Sequence, residues 1–219
     1  MMDNCFYYGV CDIQECNNSC IRYIEMNNLL TKSLLPKKFF HPIQMDTPKD
    51  DERAYFFLHS IAATMKAFVS QGKSLVLYSA KIGNGKTTWA IRLMQNYFNQ
   101  IWNGNGLRTM GIFINVPTFI NQVKQSFSSD DDNISDIQKK LPNVPLLVLD
   151  DIGATKLSEY DISLLTTIID SRIMNGKSTI YTTNCDKKQL EAAIGVRLAD
   201  RIYNTGTTVT FKSETHRNK

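Results

Sequence analysis

At 219 residues the chain is long enough for one medium domain with a small appendage. A composition of 42% hydrophobic and 21% charged residues excludes a disordered or fibrous chain, and no apolar run approaches the ~18–20 residues that span a bilayer. A net charge of +4 permits nucleic-acid contact without requiring it. The first residues, Met1-Met-Asp-Asn-Cys-Phe6, lack the basic and apolar regions of a signal peptide, so a cytoplasmic protein is expected.

Residues 1–45 read as a block of their own. Cys5, Cys11, Cys16 and Cys20 are spaced by five, four and three residues, while Cys185 stands alone. In a reducing compartment such a cluster points to metal before disulfides, and four thiolates can close a tetrahedral Zn²⁺ site that staples a segment with little core. The alternative is four free thiols, since the paired C-x-x-C spacing of common zinc sites is missing. A helix with Ile21, Ile24, Leu29 and Leu30 on its apolar side should follow and end at Pro36. Lys37-Lys38 then begin an exposed connector to Pro48.

Residues 46–219 read as a second unit. One long helix is expected from about Asp51 to Gln71, with Phe57, Leu58, Ile61, Met65, Phe68 and Val69 at helical spacing and Gly72 as its cap. An aromatic stripe of that kind is ordinary core packing. Ser74–Tyr78 is a buried strand. It runs into Gly83-Asn84-Gly85-Lys86-Thr87-Thr88 and the start of a helix. Glycines allow backbone N–H groups to wrap a polyphosphate, the lysine reaches the β- and γ-phosphates, and the Thr87 hydroxyl suits Mg²⁺. The G-x-x-x-x-G-K-[ST] pattern expects a glycine at position 80, where this chain has Ala80.

Further strands are expected at Met110–Val116, Leu146–Asp150, Ser178–Asn184 and Thr207–Phe211, with helices between them. One helix opens at Pro117 and carries Lys124. Another spans Glu159–Met174, and two more lie at Lys187–Ile194 and Arg197–Tyr203. Asp150-Asp151 closes a strand that reads as buried on both faces, at the sheet edge where ligands bind in open α/β folds. Asp150 suits the Mg²⁺ shell, Asp151 the attacking water, and Asn184 the water beside the γ-phosphate. Strand–helix alternation at these lengths predicts a parallel α/β sheet with helices on both faces.

The order of phosphate loop, Leu149-Asp150-Asp151-Ile152-Gly153, Asn184 and Arg197-Leu-Ala-Asp-Arg201 resembles the AAA+ ATPases. Within them it is similar to DnaC/DnaI-type replicative helicase loaders and the related IstB-type transposition helpers, and its Cys-bearing N-terminus looks like phage versions of the loader. The resemblance covers roughly residues 70–217. It implies a P-loop NTPase core with a reduced or absent C-terminal lid, since 18 residues follow Arg201. It also implies binding of ATP or ADP with Mg²⁺ and slow, assembly-dependent hydrolysis. Asn184 corresponds to sensor 1. Arg201 corresponds to the arginine finger that reaches a neighbouring subunit's nucleotide, with Arg197 at the same interface and Arg172 as a further basic candidate. The implied partners are a hexameric replicative helicase, held through the N-terminal segment, and single-stranded DNA, for which Lys124, Lys139 and Lys140 are candidate contacts. A transposition helper and a nucleotide-independent binding module are the alternative functions.

Overall fold

The computed structural model describes residues 5–8, 11, 17–127 and 132–214. Five strands form one sheet: β1 (Ser74–Tyr78), β2 (Gly111–Asn115), β3 (Leu146–Asp150), β4 (Ser178–Thr183) and β5 (Gly206–Thr210). Their spatial order is β2-β3-β4-β1-β5, and every neighbouring pair is parallel. Parallel strands need crossover connections, and the helices supply them: α4 (Lys86–Ile101), α5 (Val116–Ser126), α6 (Asp132–Lys140), α7 (Glu159–Met174), α8 (Lys187–Ile194) and α9 (Val196–Thr205). This is the α/β architecture expected from the alternation.

The period of two along each strand divides the core. Leu75 and Leu77 of β1, with Leu146 and Val148 of β3, face one apolar layer that also holds Trp89, Leu93 and Phe98 of α4. Val76, Leu147 and Leu149 face the other, with Leu165 and Ile169 of α7 and Leu198 and Ile202 of α9. Covered on both sides, β3 buries all five of its residues, which explains its unbroken apolar run.

The N-terminal residues pack against the first layer. Helix α1 (Ile21–Lys32) buries Met26, Leu29 and Leu30, while Ile21 and Ile24 are exposed. The expected apolar side is thus only half right, because spacings of three and four from Met26 select the inward face. Lys32 donates to the Gly106 carbonyl at 2.9 Å and Glu25 accepts from the Gly106 amide, tying α1 to the turn after α4.

The expected long helix over 51–71 is two helices, α2 (Glu52–Ala63) and α3 (Met65–Ser70), broken at Thr64 (φ −125°, ψ 27°). The Thr64 hydroxyl turns back to the Ser60 carbonyl, a contact that competes with helix hydrogen bonding. Gln100 of α4 repairs the break by donating to Ala62 O and accepting from Lys66 N, each at 2.8 Å. Gly72 does cap the segment at φ +65°. A Cβ there would lie 2.5 Å from the Gly176 carbonyl oxygen, so only glycine fits.

Two polar clamps bring distant chain to the end of β1. Gln95 of α4 donates to the Phe39 and His41 carbonyls and accepts from Ile43 N, which lays the connector along α4. Buried Asp51 accepts from the backbone amides of Lys212 and Ser213 and from the Ser213 hydroxyl. The segment after β5 thereby reaches the phosphate loop, where Glu214 pairs with Lys81.

Candidate nucleotide site

The loop between β1 and α4 turns through two left-handed glycines, Gly83 (φ 77°) and Gly85 (φ 92°). Among the described residues, Leu34 and Asp151 are the non-glycine positions with positive φ. Ala80 therefore occupies ordinary backbone, and the missing glycine imposes no strain at that point. Buried Asn84 points into the loop and donates to the Ser79 hydroxyl. Lys86 is buried at the start of α4, and its ammonium donates to Lys81 O at 3.1 Å and Asn84 Oδ1 at 3.2 Å. Asn184, just past β4, donates to the Ser79 and Lys81 carbonyls at 3.0 and 2.9 Å. The side chains of Lys86 and Asn184 thus both donate to the Lys81 carbonyl at the turn of the loop.

Asp150 and Thr87 meet although β3 and β1, the strand that leads into α4, are not neighbours. β4 lies between β1 and β3, and its Thr182 spans the gap. Thr87 and Thr182 hydroxyls both donate to Asp150 Oδ1 at 2.7 Å. Burial raises the Asp150 pKa, the two hydroxyls oppose that rise, and the neighbouring Asp151 charge adds to it. Asp151 stands in the left-handed region (φ 58°), which Asp tolerates better than most residues. Its amide donates to Thr182 Oγ1 at 2.9 Å, which holds the turn. Asn115, the last residue of β2, lies 3.5 Å from Asp150 Oδ2 and 3.4 Å from Asp151 Oδ2 through its amide nitrogen. Its Oδ1 caps α5 by accepting from the Thr118 amide and hydroxyl.

A cavity of about 890 Å³ opens over this cluster. Gly83 to Thr88, Asp151 and Asn184 line one side, and the connector Met45–Lys49 with Tyr55 lines the other. A hydroxyl and a carboxylate at hydrogen-bonding distance form a hard-oxygen donor set that suits Mg²⁺. Ser79, Asn115, Thr182 and the connector were not singled out from the sequence. The Asn-x-Pro that ends β2 signals a helix cap, but its contact with both carboxylates depends on the pairing of β2 with β3.

Arg197 and Arg201 do not line this cavity. They lie four residues apart on α9 and meet Asp170 of α7: Arg201 Nε donates to Oδ1, and Arg197 is 3.8 Å from Oδ2.

Two other basic candidates, Arg172 and Lys124, are otherwise engaged. Arg172 is buried, and it donates to Thr179 Oγ1 and to the Leu141, Val144 and Ser178 carbonyls. Burial lowers its pKa to about 10. It ties α7 to the entries of β3 and β4 and is not an interface residue. Lys124 is half exposed and paired at 2.8 Å with buried Asp161. Burial acts to raise the Asp161 pKa, but hydrogen bonds from Lys124 and Ser158 prevail and hold it low.

The zinc expectation finds no support. Among the described residues no three His, Cys, Asp or Glu side chains gather as metal ligands. Cys5 is buried in the apolar layer with Tyr7, Met26 and Leu30, and Cys11 packs against that layer. Cys16 lies outside the described residues. Among the described residues no helix is long and apolar enough to cross a membrane.

The DnaC replicative helicase loader of Buchnera aphidicola subsp. Baizongia pistaciae (strain Bp) is 26% identical over 166 residues, covering 74% of this chain and 61% of that protein. The Escherichia coli (strain K12) loader DnaC is 25% identical over 126 residues, covering 58% and 49%. The chain thus spans about half to three fifths of the length of these curated relatives. A crystal structure of the DnaC helicase loader shares the fold, with a TM-score of 0.66 and 24% identity over 81% of this chain and all of that one. The fold is that of the AAA+ P-loop NTPases. Residues 22–219 match the profile described as IstB-like ATP binding protein, and the chain belongs to that family.

Proposed function

We propose that this protein is an ATP-dependent loader of a hexameric replicative helicase that hydrolyses ATP slowly and acts on single-stranded DNA. The observation that carries the nucleotide part is the meeting of Thr87 and Asp150 beneath the cavity, with Lys86, Asp151 and Asn184 around it. Lys86 exchanges its loop carbonyls for the β- and γ-phosphates, and the N-terminus of α4 adds its amides and dipole. Thr87 and Asp150 would hold Mg²⁺, which would supply positive charge to neutralise the phosphates. Asp151 orients the attacking water, and Asn184 turns from the loop carbonyls towards the γ-phosphate. Arg201 serves the nucleotide of a neighbouring copy, with Arg197 beside it, because both stand outside their own chain's cavity.

The loader reading is supported by the two DnaC relatives. We assign the N-terminal segment to the helicase. The departure at Ala80 would suit a module that ignores nucleotide, but Ala80 stands on ordinary backbone, which removes that support. A pull-down against a replicative helicase, with and without ATP, tests partner and nucleotide together. The full chain should retain the helicase, and a chain lacking residues 1–45 should not. Retention of a transposase instead would favour a transposition helper.

A further inference from the structure

Two cations and one carboxylate form a cluster on the α7–α9 face. α9 buries Leu198, Ala199 and Ile202 in the core, which leaves Arg197 and Arg201 together on its polar side. Asp170 meets them from α7, beside the buried Ile168 and Ile169. The Arg201 and Asp170 side chains are 31% and 28% exposed, and Arg197 is 74% exposed.

The manner of contact matters. A guanidinium carries five N–H donors in a planar fork. Asp170 takes the Nε–H, on the stem side of that fork. Among the described residues, no hydrogen bond uses the two terminal nitrogens of Arg201. A carboxylate on the terminal edge would occupy both of the nitrogens that a phosphate can take in a bidentate pair. Here that edge remains available. Two guanidinium groups against one carboxylate also leave the cluster with a net positive charge, so it still attracts a phosphate.

We propose that Asp170 is a positioning residue for Arg201. It fixes the guanidinium through Nε, so that the terminal nitrogens meet a phosphate on a second copy of this chain in a set geometry. The inference rests on the reading that Arg201 acts in trans. A loose arginine must be ordered when subunits meet. One already held by Asp170 has been ordered during folding, which favours the assembled, reactive geometry.

The test is ATP turnover by the full chain across a range of protein concentrations, alongside the affinity of the same chains for a fluorescent ADP analogue. Wild-type turnover per chain should rise with concentration. Arg201→Ala should lose nearly all of that rise. Asp170→Ala should lower kcat by roughly 10–100-fold, as expected for a misplaced catalytic group, with KM and ADP affinity unchanged. Asp170→Asn keeps an oxygen for Nε and should recover most of the loss. Asp170→Glu keeps the charge but shifts the guanidinium by a methylene, and it should also lower kcat. That variant decides the matter if Asp170→Ala fails to fold. Turnover of Asp170→Ala or Asp170→Glu at or above wild type, with Arg201→Ala impaired, overturns the positioning role. Full turnover by Arg201→Ala, or no concentration dependence in wild type, overturns the trans reading itself.

Discussion

Thr87 donates a 2.7 Å hydrogen bond to Asp150 across the width of β4, and the same carboxylate oxygen accepts from Thr182 at 2.7 Å. A buried carboxylate is thus held by two hydroxyls beneath an open cavity. Burial raises its pKa, so its ionised form weighs on the stability of the ligand-free chain. For a raised pKa, the stabilising contribution is complete below the ordinary carboxylate value of about 4 and is lost as pH rises through the raised one. Asp150→Asn should therefore raise the Tm of the ligand-free chain at pH 7 and change it little below about pH 4. The same variant should lose the Mg²⁺-dependent part of ATP affinity. Melting curves across pH and nucleotide titrations with and without Mg²⁺ check both arms.

Asn115 has two separable duties. Its oxygen caps α5, and its amide nitrogen faces both Asp150 and Asp151. Asn115→Ala should cost about 1 kcal/mol for the cap, a Tm fall of roughly 2–4 °C for a chain of this size. Asn115→Ser keeps a capping hydroxyl and should restore most of the Tm. It cannot reach the carboxylates as the amide does, so ATP turnover should stay altered in both variants. Equal turnover in wild type and Asn115→Ser would show that the amide contact has no bearing on the reaction.

Lys124 and Asp161 bear on stability before any contact with DNA. Asp161 is buried, with one carboxylate oxygen unpartnered, and Lys124 supplies its cation. Lys124→Ala should destabilise by about 1–2 kcal/mol, less than a fully buried pair because Lys124 is half exposed, and Tm should fall by roughly 2–8 °C. Because the Asp161 pKa is lowered, its stabilising contribution is present above pH ~4 and is lost as pH falls through the lowered value. The Tm difference between wild type and Lys124→Ala should shrink over that acid range. DNA binding by this variant is best compared below its own melting transition.

Arg172 is the more severe case. Leu141, Val144 and Ser178 present carbonyls to it, and a leucine would leave them without that donor. Arg172→Leu should cost about 3–5 kcal/mol, enough to put much of the chain into the insoluble fraction on expression. Arg172→Lys should not rescue it, because one ammonium cannot reproduce the planar fork.

Much of this protein could be read along the chain, for local reasons. All five strands lie within about a residue of their expected bounds, and unbroken apolar runs marked β1 and β3 because strands buried on both faces tolerate little else. Gly83-Asn84-Gly85-Lys86-Thr87 marked the loop because positive φ and a lysine at a helix start are written in adjacent residues. The break at Thr64 could not be read this way, since the glutamine that bridges it lies on α4, 36 residues further along.

What only the tertiary structure decided is which polar groups face one another. The sequence reading set Arg201 first, Arg197 beside it and Arg172 as a further basic candidate for one interface. Packing buries Arg172 among carbonyls and sets the other two beside Asp170. The sequence likewise placed Asp150 at a strand end, while the order β3-β4-β1 made Thr182 its bridge to Thr87. Backbone preferences and apolar periodicity act over a few residues and are visible in a single sequence. Hydrogen bonds and ion pairs act at about 3 Å between segments that meet only once the sheet has chosen its order.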